Sequence, residues 1–193
     1  LRLIQELDKL IRTGHVKPVY EKIVSLNYSQ IPHRHRQKVA NLAWRSGAVS
    51  AGMKILTPVV NSEQAQLRKD VSPEELIEYC VLLQKMGSVN EALEKLKLVD
   101  PQLYPKSLLY SSFCLFSQWR YSETLDLLKS YIESSQISAY DRVVGKINYL
   151  AALVAVQDVE TAGKIHTELL NDTNESSYQK LRGNLYELNT QLN

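Results

Sequence analysis

The stretch Gly87–Leu96, GSVNEALEKL, decides how this chain is read. Gly87 can end a helix because it takes a positive φ at little conformational cost. Ser88 is a favoured helix N-cap, and Glu91, three residues on, completes the pattern of a capping box. Ala92 is small enough to let a second helix approach closely. Leu93 and Leu96 then start an apolar stripe at helical spacing. Upstream lies SPEELIEYCVLLQKM, in which Ser72 is again a cap, Pro73 suits the first turn and Glu75 sits three after the cap. Residues 72–99 therefore read as helix, short turn, helix. A pair of helices this short cannot bury both apolar faces alone and must stack on neighbours.

Weaker copies of the same pattern recur. Val89 aligns with Val16 in GHVKPVYEKI, Val49 in GAVSAGMKIL, Tyr121 in WRYSETLDLL and Val159 in QDVETAGKIH. The successive spacings are 33, 40, 32 and 38 residues. The place of Ala92 is taken by Val19, Gly52, Thr124 and Ala162, mostly small residues. A helix-turn-helix unit repeating at roughly 34 residues is the tetratricopeptide signature. On these residues the chain resembles the tetratricopeptide-repeat family over most of its length, best at Gly87-Ser88-Val89-Asn90-Glu91-Ala92-Leu93. The early Trp and central Gly-Tyr of that family's first helix are poorly kept, and the spacing is irregular. The resemblance implies an all-α fold: a right-handed α-solenoid of about five helix-turn-helix repeats with a C-terminal capping helix, in one domain over residues 1–193.

Composition agrees with a folded helical domain. The 193 residues are 44% hydrophobic and 23% charged, ordinary for a globular protein. The most apolar run, INYLAALVAV at residues 147–156, is shorter than a bilayer span. The chain begins at Leu1 rather than Met, which reads as a fragment of a longer protein. Cys80 and Cys114 are too few for a disulfide framework and fall inside apolar helices, which points to buried reduced thiols in a cytoplasmic protein.

Along the chain, helices are expected at 1–12, 17–26, 32–46, 49–60, 104–118, 122–134, 138–157 and 158–170, besides the two of the central stretch. Residues 61–71, NSEQAQLRKDV, read as an extended connection between repeats. Ser138 with Asp141 resembles a capping box. The last helix places Tyr178, Leu181, Leu185 and Leu188 on one narrow stripe, as a terminal cap requires.

No catalytic or metal constellation is present in the sequence, and no enzyme or cofactor is expected. His33 and His35 are two apart and face different sides of a helix. Glu74 and Glu75 lie in a first turn, where the helix dipole favours acids. There is no Gly-rich phosphate loop, no G-x-S-x-G and no H-E-x-x-H.

Charge is distributed unevenly. Residues 1–60 carry ten Lys or Arg and three Asp or Glu, net +7, whereas residues 61–193 are net −5. The densest basic stretch is HRHRQKVANLAWR, where Arg34, Lys38, Asn41 and Arg45 share one helix face. The resemblance places that face in a concave groove, with Ile77, Val81 and Gln84 from the next repeat. It adds Leu109, Phe113 and Phe116 from the one after, with Tyr110 at the edge. Such a groove suits an acidic, partly apolar peptide or helix of a partner protein. The aromatic residues would serve equally well as core. The resemblance thus implies a protein-binding scaffold or adaptor, with Arg34, Lys38, Asn41, Arg45, Ile77, Val81, Tyr110 and Phe113 as binding residues. Asn41 matches one position of a Lys/Asn carboxylate clamp, but Glu78 stands where the next repeat needs Asn. The alternative is a nucleic-acid-binding repeat protein using the basic N-terminal third, against which stand the acidic remainder and the irregular period.

Overall fold

In the computed structural model, residues 2–61, 71–174 and 178–192 are described. Among them are eleven α-helices, one 3₁₀ turn and no strand. The helices are α1 (Arg2–Arg12), α2 (Val16–Val24), α3 (His33–Arg45), α4 (Val49–Val60), α5 (Pro73–Lys85), α6 (Val89–Leu96), α7 (Lys106–Ser117), α8 (Thr124–Glu133), α9 (Ala139–Ala155), α10 (Val159–Asp172) and α11 (Gln179–Leu192). A 3₁₀ turn at Tyr28–Gln30 leads into α3. Most of the expected connection at 61–71 lies outside the described residues.

One backbone device ends five of these helices. Gly14, Gly47, Gly87, Trp119 and Gln157 all have positive φ, between 60° and 91°. The next residue in each case donates its N–H to a carbonyl five residues back: His15 to Leu10, Ala48 to Ala43, Ser88 to Leu83, Arg120 to Leu115 and Asp158 to Leu153, at 2.8–3.0 Å. That is the six-to-one bond of a Schellman turn, which satisfies carbonyls the helix leaves open. Each positive-φ residue stands two before one of the aligned positions 16, 49, 89, 121 and 159. The repeat register read from sequence is therefore a register of identical backbone turns. Three residues after each aligned position come Val19, Gly52, Ala92, Thr124 and Ala162, and all five are buried.

Ser88 departs from expectation. Its side chain makes no cap hydrogen bond, so the capping box with Glu91 is not formed. Ser88 is the last residue of one turn and the first of the next helix, and its ψ of 55° is far from the extended value a serine cap uses. Asp158 occupies the same place in its repeat with a side chain one bond longer, and it does accept from the Thr161 N–H, at 3.1 Å. The box at Ser72–Glu75 forms as expected, whereas Ser138 forms only the N-cap half: its hydroxyl oxygen accepts from the Asp141 N–H, and the Asp141 carboxylate accepts from that hydroxyl rather than from the Ser138 backbone.

The chain divides into two compact units, one of Leu1–Ile11 with His15–Val99 and the other of Arg12–Gly14 with Asp100–Asn193. In the first, α3 and α4 pair, both meet α5, and α5 pairs with α6, while α2 lies on α3. The approach of α4 to α5 is close because Gly52 has no side chain: a Cβ there would come within 2.6 Å of a Leu82 methyl carbon. Leu42, Leu56, Cys80, Val81, Leu82 and Ala92 fill the interior. In the second unit, α7 pairs with α8, α8 with α9 and α9 with α10. Helix α11 covers α9 and α10, burying Leu181 and Leu185 and packing Tyr178 and Leu188 beside them, the stripe expected of a terminal helix.

Candidate partner-binding surface

Helix α3 carries the basic stripe. It starts at Pro32 without a side-chain cap, and its first turn holds no acidic residue. His33, Arg34, His35 and Arg36 stand there instead, so the two arginines place cations where the helix dipole is positive. Two of the four have local partners: His33 Nε2 lies 3.5 Å from Glu75 Oε1 of α5, and Arg36 Nε donates to the Ile31 carbonyl at 3.2 Å. The pKa of His35 is lowered by desolvation first, then by the charges of Arg34 and Lys38, so it is neutral at neutral pH.

The four residues of the stripe fall into two pairs. Arg34 and Lys38 are exposed, and among the described residues neither forms an ion pair or hydrogen bond. Asn41 and Arg45 turn inward. Asn41 Nδ2 donates to both oxygens of Glu78 on α5, at 3.0 and 3.1 Å. Gln37 Nε2 donates to Glu78 Oε1 at 3.3 Å, and the indole Nε1–H of Trp44 donates to Oε2 at 2.8 Å. Glu78 is 1% exposed, so four donated hydrogen bonds replace the water its carboxylate has lost. Arg45 Nη1 donates to Asp8 Oδ1 of α1 at 2.6 Å and to Asn41 Oδ1 at 3.2 Å. One face of α3 is thereby tied to α1 on one side and α5 on the other.

The apolar part of the expected surface lies inside the fold. Ile77 and Val81 are buried in the first unit, and Tyr110 and Leu109 in the second. Gln84 is half-buried. Phe113 is half-buried and stacks on Tyr110, with ring centroids 5.5 Å apart, and Phe116 is half-buried against Tyr121 at 5.5 Å. The structure thus joins Arg34, Lys38, Asn41 and Arg45 on one helix face and sets Ile77 and Val81 in the core beneath it. Tyr110 and Phe113 belong to the other unit.

Sequence reasoning meets Glu78 only as a mismatch to a carboxylate clamp and passes over its role as an acceptor, together with Gln37, Trp44 and Asp8. The signal was present: a lone carboxylate inside IEYCVLL must find donors, and Gln37, Asn41 and Trp44 follow one another at helical spacing. Sequence reasoning also passed over Trp119, which takes the left-handed place of a glycine and is 80% exposed, edge-on to Tyr121 at 6.1 Å.

Among the described residues no group of His, Cys, Asp and Glu is arranged to hold a metal ion, and no helix is long and apolar enough to cross a membrane. Comparison with known protein families, with curated proteins and with solved structures finds no match to this chain.

Proposed function

We propose that this chain is a protein-binding helical-repeat module of the tetratricopeptide type, a right-handed solenoid acting as a cytoplasmic scaffold or adaptor. Its partner presents an acidic, partly apolar peptide or helix along α3. The observation that carries this reading is the pair Arg34 and Lys38. They are exposed and without a partner among the described residues, on a helix whose Gln37, Asn41 and Arg45 are tied to neighbouring helices. Two adjacent cations left open beside a stripe of fixed polar groups favour an anionic segment. The five turns in one register support the repeat type.

The test uses a fluorescein-labelled amphipathic peptide of glutamate, leucine and alanine, read by anisotropy, with a single-stranded RNA as the second probe. The parent should bind the peptide more tightly than the RNA. Arg34→Glu with Lys38→Glu should keep the helical circular-dichroism spectrum and weaken peptide binding about tenfold at low salt, less at high salt. Equal binding by parent and double mutant would overturn the reading, and preference for the RNA would replace it with the nucleic-acid alternative.

A further inference from the structure

Arg45 is the one cation of the stripe that the fold holds still. A guanidinium has five N–H donors in a rigid plane. Among the described residues Arg45 uses only Nη1, toward Asp8 and Asn41. Its Nε and Nη2 form no hydrogen bond to any described residue, and neither is sealed from solvent. The side chain is 17% exposed and that of Asp8 28%, so the pair sits at the rim rather than in the core. The free Nε–Nη2 edge is the edge that takes a carboxylate through two parallel hydrogen bonds. It lies on the same helix face as Arg34 and Lys38, with Arg34 about 16 Å away along α3.

We infer that Asp8 and Asn41 hold Arg45 as a pre-oriented receptor for one carboxylate side chain of an acidic peptide lying along α3. This inference rests on the proposed function and deepens it. Arg34 and Lys38 are exposed charges with no partner among the described residues to orient them, so they attract any anion and set the rate of encounter and its salt dependence. Arg45 is different, because its plane is fixed before the partner arrives and less freedom is lost on binding. It therefore selects a carboxylate at one position and sets the register of the bound segment. Local charge allows this. The charge of Asp8 is offset by Arg45 itself, that of Glu78 is met by four donated hydrogen bonds, and Arg34 and Lys38 leave the face net positive.

The experiment uses the same labelled peptide with each glutamate replaced in turn by glutamine. Against the parent, one replacement should weaken binding about tenfold and the others far less, the mark of one directional contact. Against Arg45→Lys, which keeps the charge and loses the fork, that position dependence should flatten while the salt dependence persists. Asp8→Asn should weaken binding severalfold by releasing the guanidinium, and it provides the decisive comparison if Arg45→Lys does not fold. A flat scan against the parent would overturn the inference while leaving the proposed function standing, since diffuse attraction is what Arg34 and Lys38 alone would give. Tighter binding by Asp8→Asn would also overturn it, by showing that Asp8 competes with the partner instead of positioning Arg45. Peptide binding that ignores Arg34→Glu with Lys38→Glu would remove the proposed function and this inference together.

Discussion

The indole N–H of Trp44 is aimed at Glu78, donating to Oε2 at 2.8 Å across the interface between α3 and α5. This contact joins two helices at a point where an apolar pair would have been simpler, and it makes the interface sensitive to single atoms. Trp44→Phe keeps most of the ring and removes the donor. Hydrogen bonds to a charged group are worth about 1.5–3 kcal/mol, so the variant should lose stability of that order in urea unfolding. Glu78→Gln should lose less than Glu78→Ala, because the amide oxygen still accepts. Equal losses would show that the carboxylate is not what the three donors on α3 serve.

The small-residue positions give a test of packing. Ala92 is fully buried at the place equivalent to Gly52, Thr124 and Ala162. Ala92→Leu should destabilise by about 1–3 kcal/mol through overpacking, and Ala162→Leu should do the same in the other unit. An unchanged melting temperature for both would separate the sequence alignment from the packing.

The turns can be tested on conformation alone. A Cβ at Gly87 would meet no atom within 4 Å, so Gly87→Ala changes only the ease of reaching a φ of 91°. It should cost about 1 kcal/mol. Gln157 holds the same left-handed place at a φ of 63° with an exposed side chain, and Gln157→Gly should gain roughly 0.5–1 kcal/mol, read as a rise in melting temperature.

Alkaline pH should act through two buried groups of the second unit. Burial pushes the Cys114 thiol up to about 11, and burial also raises the pKa of Tyr131, whose hydroxyl finds no hydrogen-bond partner among the described residues. For both, the folded chain holds its proton more tightly than the unfolded chain. Stability is therefore full below the unfolded Cys value, near 9, and falls as pH rises from there through about 11. The urea midpoint should drop between about pH 9 and about pH 11, and Cys114→Ala should make that drop smaller. Tyr131→Phe removes an unpaired buried hydroxyl, so it should be neutral or stabilising at neutral pH. The thiol of native Cys114 should resist alkylation until the chain opens.

Much of the fold was legible because it is written in local signals. Gly14, Gly47 and Gly87 mark their turns by composition, and Ser72 and Ser138 mark helix starts that form. Trp119 and Gln157 adopt the same turn with no local mark. There the backbone hydrogen bonds to Leu115 and Leu153 impose the conformation on residues that would not choose it. Ser88 shows the converse, a favoured cap defeated by the turn that precedes it. On the surface, spacing alone found the face shared by Arg34, Lys38, Asn41 and Arg45. It did not find what that face touches, because Asp8 and Glu78 come from helices on either side. Ile77, Val81 and Tyr110 were drawn outward by analogy with a groove, and the core holds them because each lies on a helix with apolar residues on more than one side.

The Schellman turns have one more consequence. Each is closed entirely by main-chain atoms, and around Gly14, Gly47 and Gly87 no atom stands within 4 Å of where a side chain would begin. The side chain at such a site is therefore decoupled from folding, apart from the modest strain of a left-handed residue. Trp119 shows that even the bulkiest residue is tolerated there. Each turn is thus a mounting point. A cysteine placed at position 47 or 87 would carry a spectroscopic label pointing into open solvent, held on a rigid backbone, with both flanking helices undisturbed.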